Sequence, residues 1–496
     1  MNGSHQPESR GTDISRWCMQ AAVAAVLAGC AGTPPPPAAI EPPPDLPSAW
    51  TATGEGRSAE GTLNSDWWTA FGDVELDACV ATALKQNRDL AAAAARVFAA
   101  NELAILAGAP VLPTVDAQLD AQRSRRVFVG FPFGTGGVPS NTATILNANL
   151  TVRWELDLWN RLRSTEAAAL ADAQASTADF AAARTSLAGQ VCRAYFALVE
   201  AREQLRLTEA TVTAFAATAD DVRERFRRGV RPAIDTYQST TSLESARADR
   251  ALRQQRLAAA ARQLEVLMGR YPGKLVNGAE TLTRTLPEVP AGLPSVLLDR
   301  RPDLAAAERR LAASGCRVDA ARAALYPRLS LTASGGTNSE ELSDLLDDSF
   351  RVWSLGANLL QPLFRGGALR AEVRRNEAVQ LTSIAEYGAA LLRAFAEVEN
   401  ALESSTWLAQ QERAVQSAAE NSAMARDLAR ERYQLGLTTF LEVQDSQQRA
   451  FVAQSANLAV RRQRIDNRID LILALGGGYG NAAVTAPDST AEQSKP

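Results

Sequence analysis

The sequence has 496 residues, and its 52 lysines and arginines nearly balance its 56 aspartates and glutamates, which excludes a protein that relies on a basic surface to bind nucleic acid. The only histidine is His5. Because general acid–base catalysis and zinc binding rely most often on histidine, this composition argues against most hydrolases and metalloenzymes, and we expect no cofactor and no metal. The cysteines form no closely spaced pair, so Cys79, Cys192 and Cys316 are interpreted as small buried residues.

The N-terminal residues have the features of a secretion signal. Two arginines precede an apolar run at residues 19–28, which is shorter than the roughly 20 residues that a bilayer-spanning helix needs. The run ends in Leu-Ala-Gly directly before Cys30, a pattern that resembles the lipobox of bacterial lipoproteins and implies cleavage before Cys30 and its acylation. The prediction is a signal peptide at 1–29, then the acylated cysteine and a proline-rich tether at 30–60. The alternative is an apolar stretch that happens to contain a cysteine.

An internal duplication covers most of the remaining chain. Residues 223–230, Arg-Glu-Arg-Phe-Arg-Arg-Gly-Val, match residues 430–437, Arg-Glu-Arg-Tyr-Gln-Leu-Gly-Leu, and 430 − 223 = 207. An earlier block, Asp-Leu-Ala-Ala-Ala, occurs at 89 and again at 303, which is an offset of 303 − 89 = 214. We therefore divide the chain into a first repeat at 61–275, a second repeat at 276–476 and a disordered C-terminal tail at 477–496.

Each repeat begins with an alanine-rich helix, predicted at 76–107 and at 302–324, and prolines end both helices. Two strand-like stretches follow in each repeat. The first strand is predicted to begin with 114–119, and the other strands are predicted at 142–158, 328–335 and 350–363. No later segment is a run of 18 apolar residues, so we expect no membrane-spanning helix, and any membrane crossing would use these strands.

A very long helix follows the strands of each repeat. Residues 164–228 contain no proline, and apolar or small residues recur at alternating steps of three and four from Leu187 to Phe226, as in a coiled coil. This helix would be about 95 Å long before it turns and returns to Met268. In the second repeat the helix is predicted at 369–435 and returns to 475. Many seam residues are small, so we expect several hairpins to associate side by side into a tube; a fibrous coiled-coil spacer is the alternative.

Several ordered blocks resemble one family of membrane proteins. The blocks are Leu-Pro-Ser-Ala-Trp at 46–50, Trp-Trp-Thr-Ala-Phe at 67–71, Asn-Arg-Asp-Leu at 87–90 and Gly-Leu-Pro-Ser-Val-Leu-Leu-Asp-Arg-Arg-Pro-Asp-Leu at 292–304. They are similar to the TolC/OprM family of outer-membrane efflux factors, in the lipid-anchored, NodT-like branch that serves resistance-nodulation-division efflux systems. The similarity covers residues 46–476.

This resemblance implies an α+β membrane protein that forms a homotrimer. Four strands from each chain would make a 12-stranded β-barrel in the outer membrane, continued by a long α-helical coiled-coil barrel in the periplasm. The hairpin turns would contact a periplasmic adaptor protein, which connects the channel to an inner-membrane pump. The chain itself would passively export small molecules and would not be an enzyme.

The two hairpin ends contain the candidate functional residues. The family resemblance implies adaptor contact at Arg225, Gly229, Val230, Arg432, Gly436, Leu437 and Thr438. The two glycines also suit a sharp reversal that needs a positive φ. Three acids near these ends, Asp235, Glu442 and Asp445, are candidate gate residues, because a symmetric trimer would gather three copies of each around one axis. For each acid the alternative is a solvated charge on a helix.

Three other readings remain open from the sequence. The first is the exit duct of a one-step protein secretion system, which would share the fold. The second is a structural coiled-coil protein of the cell envelope. The third is an enzyme, which would need a convergent polar site that the sequence does not offer. The basic pair Arg300 and Arg301 before Pro302 is interpreted as the start of a helix rather than as an anion site.

Overall fold

A computed structural model of the protein describes residues 50–53, 64–129, 139–273, 276, 278–290, 292 and 297–479. The predicted signal peptide, Cys30, most of the tether and residues 480–496 of the predicted tail lie outside the described residues. The chain folds into two units. A sheet unit consists of Ala99–Gln174 and Arg309–Ile384, and a helical unit takes the described residues before, between and after these segments. Each sequence repeat therefore contributes to both units.

The sheet unit contains four strands in a single antiparallel sheet, in the order β1-β2-β3-β4. The strands are β1 (Thr114–Val127), β2 (Ser140–Leu156), β3 (Arg328–Ser339) and β4 (Arg351–Leu360). The four predicted strands are thus confirmed, although β3 extends four residues beyond its predicted end at 335. Gly335 and Gly336 lie at that point, and glycine weakens the sequence signal of a strand.

Alternation along the strands gives the sheet one apolar and one polar face. On the polar face Arg153 pairs with Asp116 at 3.2 Å, and the hydroxyl groups of Ser334 and Ser354 lie 2.8 Å apart. The apolar face includes Leu119, Trp353 and Leu355, whose exposed fractions are 81%, 83% and 77%. A large apolar surface of this kind is rarely left exposed to water, so it indicates contact with lipid or with another chain.

Eight α-helices lie in the described chain, besides several short 3₁₀-helices. They are α1 (Val74–Gln86), α2 (Arg88–Gly108), α3 (Arg161–Arg227), α4 (Ala233–Leu267), α5 (Leu297–Arg300), α6 (Pro302–Ala323), α7 (Ala368–Gln434) and α8 (Phe440–Ala474). The two predicted long helices are confirmed as α3 and α7, with every bound within three residues of the prediction. Each has 67 residues, which corresponds to about 100 Å of α-helix. The sequence therefore encodes two long helical hairpins, α3–α4 and α7–α8.

The prediction of one continuous helix over 76–107 is wrong, because the chain breaks at Asn87. This residue adopts an extended backbone conformation, with φ −63° and ψ 131°, between α1 and α2. Its side-chain oxygen accepts a hydrogen bond from the backbone N–H of Leu90 at 2.9 Å, while its amide nitrogen donates to the carbonyl of Leu267 at 2.8 Å. Asn87 therefore caps α2 and also joins it to the end of α4.

The helical unit has its main core around the first hairpin. Trp67, Trp68 and Phe71 pack there with buried residues of α1, α3, α4 and α8, including Tyr195. Cys79 and Cys192 are buried as expected, and burial raises the pKa of the Cys79 thiol to about 11, which keeps it protonated and unreactive. Cys316 is only partly buried.

The predicted seam of α3 is buried along most of its length, but its last member is not. Leu187, Val191, Phe215 and Val222 are buried, whereas Phe226 is 43% exposed. The prediction for Phe226 is therefore wrong, and the seam of α3 ends at Val222.

One described helical stretch, Arg88–Val111, is long and apolar enough to cross a membrane by length and composition alone. Arg96 and Glu102 lie within it, so it is not the uninterrupted apolar run that is typical of a spanning helix.

Candidate functional site: the two hairpin ends

Both long hairpins reverse direction through the same backbone motif. Gly229 ends α3 with φ 71° and Gly436 ends α7 with φ 76°. The N–H groups of Gly229 and Val230 donate to the carbonyls of Phe226 and Arg225 at 2.8 and 3.0 Å. Gly436 and Leu437 repeat this pattern at 3.1 and 2.9 Å. These paired bonds satisfy carbonyls that the helix end leaves free, and they require a residue that tolerates positive φ.

The residues next to these glycines present apolar side chains to solvent. Val230 is 67% exposed and Leu437 is 64% exposed. Thr439 caps the following helix α8, because its hydroxyl oxygen accepts a hydrogen bond from the N–H of Glu442 at 3.4 Å. Each reversal is thus held by its own backbone while an aliphatic side chain stays available for contact. An exposed aliphatic group on a rigid turn is well suited to binding another protein.

The two hairpin ends also contact each other through an aromatic residue. The guanidinium groups of Arg225 and Arg231 lie 4.7 and 5.0 Å from the centre of the Tyr433 ring. Arg225 also donates to the carbonyl of Tyr433 at 3.4 Å, and Arg231 donates to that of Thr438 at 3.5 Å. Two arginines of the first hairpin therefore hold an aromatic ring of the second. We name these three residues, Arg225, Arg231 and Tyr433, the tip clasp.

A small apolar cluster lies beneath the clasp. Tyr433 is 2% exposed and packs with Val222, Phe440 and Val443. Burial raises the pKa of the Tyr433 hydroxyl, although the two nearby arginines oppose the shift. Its hydroxyl oxygen has no hydrogen-bond partner within the described part of the chain. A buried hydroxyl without a hydrogen-bond partner costs free energy. A rearrangement of the hairpin ends that exposed this hydroxyl to water would remove that cost.

The three candidate gate acids have different surroundings. Glu442 accepts a hydrogen bond from the hydroxyl of Thr438, and Asp445 pairs with Arg449 at 2.9 Å. Asp235 lies in the first turn of α4, and its charge acts on the pKa of Tyr433. No hydrogen bond or ion pair joins these three acids to one another in the described residues. Of these three candidates, Asp235 is the one whose charge acts on the clasp, although Asp221, which pairs with Arg225 at 3.1 Å, contacts the clasp directly.

Sequence reasoning found the turns but missed Arg231 and Tyr433. The repeat offset contained a signal, because 226 + 207 = 433 pairs the exposed Phe226 with the buried Tyr433. Likewise 225 + 207 = 432 pairs Arg225, which is held in the clasp, with Arg432, whose side chain is exposed. Equivalent positions of the two repeats therefore have different environments, and that difference depends on contacts between the hairpins.

The basic block before α6 is structural, as predicted. Arg301 is 8% exposed and donates to Asp303 at 3.0 and 2.8 Å, to Glu397 at 2.6 Å and to the carbonyl of Ala474 at 3.1 Å. These bonds join the start of α6 to α7 and to the end of α8. An arginine whose donors are used in this way is a poor anion site.

Two long helical hairpins and a four-stranded sheet with an apolar face are features of outer-membrane channels, and comparison with known proteins agrees. The sequence model of the outer membrane efflux protein family matches residues 79–270 and 293–477. The chain belongs to this family. It is therefore an outer-membrane component of an efflux system, and the class predicted from the sequence is confirmed.

Individual relatives are similar over most of their length. The pyoverdine export outer membrane protein OpmQ of Pseudomonas aeruginosa is 35% identical over 457 residues, which are 92% of this chain and 95% of OpmQ. The toluene efflux pump outer membrane protein TtgF of Pseudomonas putida is 31% identical over 84% of this chain and 86% of its own. The crystal structure of the MtrE outer membrane channel of Neisseria gonorrhoeae in its open state superposes with a TM-score of 0.75, at 28% identity, over 90% of this chain and 98% of that one.

Proposed function

We propose that three copies of this chain form the passive outer-membrane exit channel of a tripartite efflux system. Four strands from each copy would close a 12-stranded barrel, in which the apolar face of the sheet contacts lipid and the polar face lines water. The exposure of Leu119, Trp353 and Leu355 on one face is the observation that carries this proposal. The unpaired edges of β1 and β4 support it, because closure of a barrel would pair them.

The cargo is proposed to be small molecules that an inner-membrane pump delivers, and the chain does no chemistry of its own. Relatives that are named for pyoverdine and toluene export carry compounds of different chemistry. This variety supports a channel that leaves the selection of substrates to the pump. Acylation of Cys30 would add a lipid anchor in the outer membrane.

The hairpin ends are proposed to bind the periplasmic adaptor protein. Val230 and Leu437 would provide the apolar contacts, on turns whose shape is fixed by Gly229 and Gly436. The clasp of Arg225 and Arg231 on Tyr433 would hold the narrow end of the channel closed, together with acids such as Asp235. Because the clasp joins two hairpins that are not equivalent, one hairpin could move while the other keeps the adaptor in place.

The variant Leu437→Asp tests this function. We expect it to reduce both adaptor co-purification and export of the pump's substrate by about tenfold or more, since a carboxylate would be desolvated in an apolar contact. Gln434→Asp is the matched control, because it adds the same acid to an exposed residue of the same hairpin end. Export that is equal in both variants would contradict docking at this turn.

A further inference from the structure

The apolar face of the sheet contains arginines on both edge strands. The hydrogen-bond register aligns Val115, Val152, Ala333 and Leu355 across the four strands. On each strand, every second residue counted from these four lies on the same, apolar face. By this alternation Arg123 and Arg125 of β1 lie on the apolar face. Arg351 of β4 lies on it too, two residues before Trp353.

Arg123 and Arg351 are equally far along their strands from the strand ends next to the helices, although the register places Arg351 in line with Leu119 of β1. Arg123 comes 123 − 114 = 9 residues after the start of β1, and Arg351 comes 360 − 351 = 9 residues before the end of β4. Nine residues of strand tilted by about 40° rise about 23 Å along a barrel axis. The apolar band of outer-membrane barrels is about 25 Å tall, so the arginines mark the border of that band on the side away from the helices.

The positive charge at this border is not neutralised by the sheet itself. None of the described strand residues on the apolar face is acidic. Arg125 donates only to the hydroxyl of Ser140 at 3.1 Å, and Arg123 has no ion pair within the described chain. Arg351 pairs with Asp348 at 2.5 Å, but both side chains are more than two-thirds exposed, so water screens this pair strongly.

We propose that Arg123 and Arg125, together with Arg351, bind the phosphate groups of a phosphorylated glycolipid in the outer leaflet of the membrane. This inference rests on the proposed function, because it requires the apolar face to meet lipid. The guanidinium fork matches phosphate oxygens in a bidentate manner, and basic residues at a membrane border attract anionic headgroups. Closure of the barrel would place β4 of one copy beside β1 of the next, so that the arginines of both edge strands would lie at each of three equivalent junctions.

A second copy of the chain offers another source of negative charge. The connection between β3 and β4 contains five acids, and it lies at the edge of the sheet where β1 ends, so in a barrel it would lie near the end of β1 in the adjacent copy. These acids are Glu340, Glu341, Asp344, Asp347 and Asp348. The lipid is favoured because the arginines lie on the face that also carries Leu119, Trp353 and Leu355, whereas the acids lie on a connection outside the strands.

The test compares two variants of the full-length protein purified from outer membranes in detergent. One variant combines Arg123→Gln and Arg125→Gln, and the matched control is Arg126→Gln, the next residue on the opposite, polar face. Binding of bis-phosphorylated lipid A in micelles is measured for each. We expect the double variant to bind at least about tenfold more weakly and the control to bind like the wild type. Lipid A without phosphate should bind the wild type as weakly as the double variant binds the phosphorylated form.

Equal affinity of the double variant and the wild type would overturn the proposal, as would full competition by inorganic phosphate, which would indicate a site for free anions. Unchanged lipid binding together with loss of the trimer would also overturn it, because the arginines would then pair with the acidic connection of the next copy. The native mass of each sample separates these results from failure of the proposed function, which would appear as a wild-type protein that is not a trimer.

Discussion

Asn87 illustrates how a single side chain determines local structure in this protein. It is 7% exposed, it caps α2 and it satisfies the carbonyl of Leu267 at the end of α4. We expect Asn87→Ala to lower the free energy of unfolding by about 2 kcal/mol, because the variant loses the cap and leaves the partly buried carbonyl of Leu267 without its partner. Denaturant unfolding of the purified protein measures this change. Asn101→Ala, at an exposed residue of α2, is the control, and an equal loss in both variants would contradict the role of Asn87.

At the scale of an element, two adjacent glycines of β3 have different surroundings. A Cβ atom added at Gly336 would collide with the carbonyl oxygen of Ala148 on β2, whereas one added at Gly335 would meet nothing within 4 Å. Gly336→Ala should therefore cost about 1–3 kcal/mol of stability more than Gly335→Ala, because β2 and β3 must separate to accommodate it. The fraction of heat-resistant, assembled protein in outer membranes reports this difference. If both variants assemble equally well, the close approach of β2 and β3 does not exist.

The sequence predicted whole elements more accurately than the contacts between them. The long helices and the hairpin glycines follow from local spacing, which is why α3 and α7 were predicted within three residues. The break at Asn87 and the clasp on Tyr433 were not predictable in this way, because they depend on partners such as Leu267 and Arg225 that are about 180 and 208 residues away. The end of the α3 seam at Val222 has the same cause.

At the scale of the whole molecule, the two repeats supply similar elements with different roles at their ends. Tyr433 is held by Arg225 and Arg231, whereas its equivalent Phe226 is exposed. A trimer would therefore place two kinds of hairpin end around its axis in alternation, six in all. Because the two kinds of hairpin end differ, the channel can open at one kind of end rather than equally at all six.

Single-channel recording of the purified protein in planar lipid bilayers tests the central claim most directly. The wild type should be a trimer that opens rarely to one uniform conductance. Arg231→Gln, which removes one cation from the Tyr433 ring, should raise the open probability severalfold without changing the size of the steps, because a cation–π contact is worth about 0.5–2 kcal/mol. Arg227→Gln, at an exposed arginine of the same hairpin end, should behave like the wild type. An open probability of trimeric Arg231→Gln that equals that of the wild type would contradict a channel closed at the hairpin ends.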